Sequence, residues 1–370
     1  MLAPRSPALG HRFVRVRSDL GELDALIVTH LPNIAYLTGF SGSAGVLVLM
    51  RHRATLIVDF RYATAARTRI ASQPDLVQTV SVVVADQNID QTLVKVLEEE
   101  APQKIGIESQ RMSVARFNAL SGTLTRRTSE PVPSLVPTER IVERARAVKD
   151  SDEITVFREA GRRLASAARE LPELVQAGRS EREIAADVDA LLRQHGFDRP
   201  AFDTIVASGP NAALPHARPT WRRVEVTDGV VLDFGGVYDG YCVDLTRTVQ
   251  LGQAPENLRE MFGAVAEAQR AAIAAIKPGV KASSVDRAAR ETLDSHGLAA
   301  AFGHGTGHGL GLEVHEEPRI GRYSETHPDV VLEPGMVFTV EPGAYVEGFG
   351  GVRIEDDVLV IDDGCEVLTR

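Results

Sequence analysis

The stretch VVLDFGGVYDGYCVDLTRTVQL, residues 230–251, decides the fold of the C-terminal half. Two apolar, β-rich runs flank Asp239-Gly240, a pair that tolerates positive φ and so marks a two-residue hairpin turn. With that turn, position 235 faces 244 and position 233 faces 246. Asp233 and Asp244 then lie diagonally on one face of the ribbon, roughly 7–8 Å apart at Cα. Two carboxylates so placed can converge on one ion or on an ion pair.

A second ribbon, VFTVEPGAYVEGFGGVRIEDDVLVI at 337–361, repeats the arrangement. Gly348 is midway between Glu341 and Glu355, so a turn centred there puts the two glutamates opposite each other on one face. An isolated acid in a strand is ordinarily a cap, a bulge or an edge gatekeeper. Acids inside VVLDF and VFTVE are harder to dismiss, because burying a carboxylate without a partner is expensive. Acids turned together into one core would drive each other neutral unless a cation joined them.

The ribbons belong to a larger echo. Gly178 and Gly196 are spaced as are Gly279 and Gly297, and each pair brackets a helix ending in His-Gly. Ser180 with Glu183, and Ser283 with Asp286, read as capping boxes that open the two helices. A longer helix is expected before each, over about 151–177 and 256–276. Two helix–helix–hairpin units predict a pseudo-symmetric domain.

The first third alternates differently. Strands at 25–28, 45–49, 54–58 and 104–107, with a helix over 87–100, predict an α/β domain with no chemistry of its own. The segment PVPSLVP at 131–137 reads as a linker, because proline disfavours regular structure on both sides. A helix is expected over 138–149. The expected domains are therefore 1–135 and 136–370, α/β followed by α+β, which a length of 370 residues accommodates.

With 44% hydrophobic residues the chain has material for ample cores. A net charge of −10 offers no basic face for nucleic acid. The only cysteines, Cys242 and Cys365, cannot build a disulfide framework or a cysteine-rich zinc site. No apolar run reaches the ~18 residues of a membrane span, and the N-terminus lacks an apolar signal core. A cytoplasmic protein without a membrane partner is expected.

The third chemical element is FGHGTGHGLGLEVHEEPRI, 302–320, where His304, His308 and His315 are interleaved with glycines that admit close backbone approach. Four carboxylates with one imidazole form a hard, oxygen-rich set, suited to Mn²⁺, Co²⁺ or Fe²⁺ better than a thiolate site is. Four such charges balance two dications, and a water held between the ions should ionise near neutral pH.

These residues resemble the pita-bread metallopeptidases. Asp233 in LDFGG, Asp244 in DLTRT, His308 in TGHGLGLEVHE, Glu341 in TVEPG and Glu355 in VRIEDD match that family's five-ligand signature in order and spacing. LDALIVTHLPNIAYLTGFSGS is similar to the creatinase-type N-terminal domain of the proline-directed branch, so the resemblance covers nearly the whole chain. It implies a curved, mostly antiparallel sheet covered by helices, and two divalent ions, Mn first with Co, Zn or Fe as alternatives. By the same resemblance Asp233 chelates one metal, His308 and Glu341 bind the other, and Asp244 and Glu355 bridge both. Glu341 becomes the general base for the bridging water. His216 and His315 match substrate-contacting histidines, Arg319 a carboxylate-binding arginine, and Arg353 the arginine of the VRIED motif, taken as substrate-binding. Tyr241 and Thr246 are expected to orient the ligand aspartates.

The implied activity is hydrolysis of the Xaa-Pro bond of small peptides by a homodimer. A prolidase (Xaa-Pro dipeptidase) stands first, with Arg319 and the absence of a third domain in its favour. An aminopeptidase P acting on longer peptides is the alternative. A non-catalytic scaffold on the same fold is the remote one, opposed by the complete ligand set.

Overall fold

The computed structural model describes residues 8–127, 131–252, 254–325 and 328–370. The chain divides into two compact units, Met1–Arg146 and Ala147–Arg370. The division falls later than the expected 135/136, for a local reason. The proline-bearing segment is not a linker: Ser134–Thr138 is a strand that pairs in parallel with Lys104–Glu108. It is the edge strand of its sheet, the one place where Pro137 withholds no needed donor.

The first unit is a six-stranded mixed sheet. Its two central strands, Ala25–Val28 and Val46–Met50, are almost wholly buried. The expected strands at 25–28, 54–58 and 104–107 and the helix, observed at Ile89–Glu100, are present. Buried Glu108 pins the turn after the first strand. It accepts from the backbone N–H groups of Thr29 (2.7 Å) and His30 (2.8 Å) and from Asn33 Nδ2 (2.7 Å).

The second unit is built twice. Helices Ser151–Ala168 and Glu181–Gln194 share one apolar core with the first ribbon, through Phe157, Leu164, Ile184, Leu232 and Phe234. Helices Glu256–Ala274 and Ala282–Ser295 share another with the second ribbon, through Val265, Val285, Phe338 and Val358. The echo reaches the hydrogen bonds. The N–H of Gly178 bonds the carbonyl of Val224 (2.8 Å), and that of Gly279 bonds Leu332 (2.9 Å). The His-Gly ends match as well: His195 meets Glu170 (2.8 Å) and His296 meets Glu267 (2.9 Å).

The repeat is less strict at the helix starts. Ser180 and Glu183 form the expected capping box. Ser283 does not cap: the helix begins at Ala282, and Ser283 instead donates to Asp329 (2.7 Å). Asp286, free of capping, pairs with Arg290 (2.6 Å) and accepts from Thr306 (2.8 Å). The first long helix stops at Ala168, short of the expected 177, and a separate turn, Leu171–Leu174, follows with Pro172 in its first turn.

Strands Gly229–Tyr238 and Tyr241–Gln250 form the first hairpin, with Asp239 (φ 52°) and Gly240 (φ 85°) in its turn. Gly235 faces Asp244 and Asp233 faces Thr246, in the expected register. Ser180→Ala should cost about 1 kcal/mol of stability through its lost cap. Denaturant unfolding measures this, and an unchanged midpoint would contradict the cap's role.

Candidate metal centre

The second ribbon keeps its expected register and breaks its ladder where the acids stand. Val340 pairs with Asp356 below the break, and Gly343 with Arg353 above it. Glu341 and Glu355 fall between the two ladders, so their N–H groups are free to bond elsewhere: Glu341 to the carbonyl of Thr306 (2.8 Å), Glu355 to that of Thr246 (3.1 Å). The second bond begins a seam between the two half-sheets. There Asp357 accepts the N–H of Asp244 on Oδ2 (3.0 Å), and Thr248 Oγ1 both donates to the Arg353 carbonyl (2.9 Å) and accepts its N–H (3.1 Å).

His308 reaches this seam on a short central strand, Gly307–Gly309, between Glu316–Ile320 and Val337–Val340. Its flanking glycines are required. A Cβ on Gly307 would collide with the Thr339 carbonyl, and one on Gly309 with that of Glu317.

The structure thus brings all five expected ligands together. Asp244, His308 and Glu355 offer ligand atoms within 4.8 Å of one another. His308 Nε2 is 3.8 Å from Asp244 Oδ2 and 3.7 Å from Glu341 Oε1. Asp233 lies close enough for its charge to act on Asp244, Glu341 and Glu355.

The fit to cations rests on which atoms are already used. Asp233 Oδ2 accepts from Arg353 (2.5 Å) and Glu355 Oε2 from Thr246 (2.5 Å). Their other oxygens, Asp233 Oδ1 and Glu355 Oε1, are buried with no hydrogen-bond partner among the described residues, as is Asp244 Oδ1. His308 Nδ1 lies 3.2 Å from the Gly309 carbonyl, so it carries the proton and Nε2 turns a lone pair toward carboxylate oxygens. Lone pairs facing lone pairs in a buried site call for a cation between them.

Electrostatics agree. Burial first, then the charges of Glu355, Asp233, Asp357 and Glu341, holds the Asp244 carboxyl well above its usual range. Glu355 is raised likewise, by burial and then by Glu341 and Asp233. Burial pushes Glu341 up to about 7. Burial also pulls His308 down to about 4, helped by His315, whose ring centroid is 4.2 Å away. The imidazole is therefore neutral, as a metal ligand must be.

Around the acids runs a second set of groups. Arg353 is buried (3% exposed) and spends its donors inside the protein: on Asp233, on Thr246 Oγ1 (3.1 Å), on Tyr345 Oη (2.9 Å) and on the Pro215 carbonyl (3.1 Å). Its expected place among substrate-binding groups gives way to an anchoring one. Because Arg353 can only donate, Tyr345 donates onward to His304 Nε2 (2.9 Å), and His304 Nδ1–H points to the Gly305 carbonyl (2.8 Å). Burial pulls His304 to about 4. Tyr241 donates to Glu153 (3.1 Å), and Thr246 donates to Glu355.

His216 and His315 are exposed, and the charge of His216 acts on both His304 and His315. Arg319, also exposed, sits opposite His308 on the neighbouring strand, and its guanidinium donates to the Arg322 carbonyl (3.5 Å). Asp357, Tyr345 and Thr339 were not anticipated. Asp357 could have been found from its two-residue spacing to Glu355, which places both on one face of a strand.

The chain matches the Metallopeptidase family M24 over residues 155–362 and the Creatinase/Prolidase N-terminal domain over 14–148. It belongs to family M24. An Xaa-Pro dipeptidase of Pyrococcus horikoshii is 34% identical over 95% of this chain and 94% of its own. A solved Xaa-Pro dipeptidase from Bacillus anthracis superposes with a TM-score of 0.90 at 35% identity, over 98% of both chains. The X-Pro aminopeptidase of Thermotoga maritima gives 0.83 at 35% identity, over 96% of this chain and 97% of that one. Membership carries with it the two-domain pita-bread fold and implies divalent metal ions. Among the described residues no helix is long and apolar enough to cross a membrane.

The raised Glu341 carboxyl sets a pH dependence in metal-stripped M24 protein. Below its ordinary value of 4.5 the group is protonated folded and unfolded alike. Between 4.5 and about 7 only the unfolded state ionises, so stability falls as pH rises, at no more than about 1.4 kcal/mol per pH unit. Stripped Glu341→Gln should therefore gain stability over stripped wild type between pH 5 and pH 7.5. Equal midpoints across that range would contradict the shift.

Proposed function

We propose that this M24 enzyme is an Xaa-Pro dipeptidase: a dinuclear exopeptidase that hydrolyses the bond between a first residue and proline. One observation carries the metal-dependent part, the bare buried oxygens of Asp233, Asp244 and Glu355 grouped with the lone pair of His308. In this reading Asp233, Asp244, His308, Glu341 and Glu355 would together hold the two ions. Two such ions would supply Lewis acidity and an acidified water at neutral pH.

The chain's own groups do the rest. Glu341, whose Oε1 lies 3.7 Å from His308 Nε2, accepts the proton of the attacking water. His216 and His315, exposed beside the cluster, polarise the scissile carbonyl and hold the developing oxyanion by hydrogen bonds. Arg353 keeps Asp233 in place. Proline specificity is supported by the names of the relatives rather than by any group in this chain.

Dipeptidase is preferred over aminopeptidase P because of Arg319. Its exposed guanidinium, opposite His308 and held among the described residues by one long bond, can grip a terminal carboxylate with two parallel hydrogen bonds. The aminopeptidase alternative is kept by the Thermotoga maritima structure. Mn²⁺ is the proposed metal, from the oxygen-rich donor set, with Co²⁺, Zn²⁺ or Fe²⁺ as alternatives. A cytoplasmic homodimer is the proposed state, which sedimentation of the purified chain would test.

Exhaustive chelation should abolish Xaa-Pro hydrolysis and added Mn²⁺ restore it; undiminished turnover after chelation would sink the metal reading. Arg319→Ala should raise KM at least about tenfold for Xaa-Pro dipeptides, the worth of about 1.4 kcal/mol, with little change for Xaa-Pro-Yaa tripeptides. Equal effects on both substrates, or wild-type preference for the tripeptides, would favour the aminopeptidase.

A further inference from the structure

Thr246 is fully buried, on the strand that meets Glu355 across the seam. It grips that glutamate twice. Its carbonyl accepts the Glu355 N–H (3.1 Å), and its hydroxyl lies 2.5 Å from Glu355 Oε2. The hydroxyl also lies 3.1 Å from Arg353 Nε. A guanidinium has no acceptor, so Thr246 Oγ1 must accept from Arg353. Its one proton is then left for Glu355, and the link runs in a single direction, Arg353 to Thr246 to Glu355.

We propose that Thr246 is a positioning residue whose one-way hydroxyl link holds Glu355 Oε2 and thereby turns the bare Oε1 into the metal site. The proposal rests on reading the cluster as a divalent-cation site. Arg353 also holds Asp233 Oδ2, so one cation-bearing side chain sets the orientation of a carboxylate from each half-sheet, directly at Asp233 and through Thr246 at Glu355. The hydroxyl is the part that matters. Serine preserves it, whereas valine replaces it with a methyl group and leaves Arg353 Nε and Glu355 Oε2 without their partner.

Thr248 provides the internal comparison. It lies two residues on, on the same face of the same strand, and among the described residues its hydroxyl bonds only the backbone of Arg353. A general loosening of the seam would follow from either threonine; loss of Glu355 orientation follows from Thr246 alone.

The test is calorimetric titration of Mn²⁺ into metal-stripped full-length wild type and the variants Thr246→Val, Thr246→Ser and Thr248→Val, with each stripped protein's melting temperature recorded. Thr246→Val should bind Mn²⁺ about 10- to 100-fold more weakly, while Thr246→Ser and Thr248→Val stay near wild type. Wild-type affinity in Thr246→Val overturns the proposal, as does equal weakening in Thr246→Ser or in Thr248→Val. If the valine variant does not fold, Thr246→Ala makes the same comparison. Failure of the wild type itself to take up Mn²⁺ would instead remove the cation site on which the proposal stands, and the proposal with it.

Discussion

Everything in the second unit answers to one constraint: several carboxylates are buried within reach of each other. Like charges in a dry interior repel strongly and lose the solvation that water would give. Hydrogen bonds alone do not relieve that here. Asp233, Asp244 and Glu355 each keep a buried oxygen with no partner among the described residues, while Arg353 brings one positive charge to the group. The arrangement is stable as ionised carboxylates only with further positive charge among them, which is the demand a metallopeptidase meets by binding its ions.

The fold makes that crowding possible by bringing two similar halves edge to edge. Within each half the strands pair regularly and the apolar side chains fill a core of their own. Where the halves meet, the ladder is partly made of side chains: Thr248 and Asp357 stand in for backbone acceptors, and Glu341 and Glu355 occupy a gap between two ladders of the same register. A gap in a ladder is where backbone groups can be re-aimed. Here it turns the two glutamates toward the aspartates of the other half, and the glycine-flanked strand carrying His308 closes the set.

Much of this was legible from short-range pattern. Asp239-Gly240 set the first hairpin's register, and with it the diagonal placing of Asp233 and Asp244. Gly348 set the second, although the break at Glu341 and Glu355 was invisible because it depends on partners from distant segments, Thr306 and Thr246. The proline-rich stretch misled for the same reason: that Pro137 lies on a sheet edge follows from topology, not from the prolines. Ser283 looked like Ser180 and was diverted by Asp329, far along the chain. The motif around Arg353 pointed to the right neighbourhood, but only the packing shows its donors consumed by Asp233, Thr246, Tyr345 and Pro215.

The most direct test is anomalous diffraction at the manganese edge from crystals of stripped protein reloaded with Mn²⁺. Two anomalous peaks per chain are predicted, both lying among Asp233, Asp244, His308, Glu341 and Glu355, with Glu355 Oε1 turned toward them. Fully loaded crystals with no peak in that cluster, or with manganese bound only elsewhere, would contradict the account.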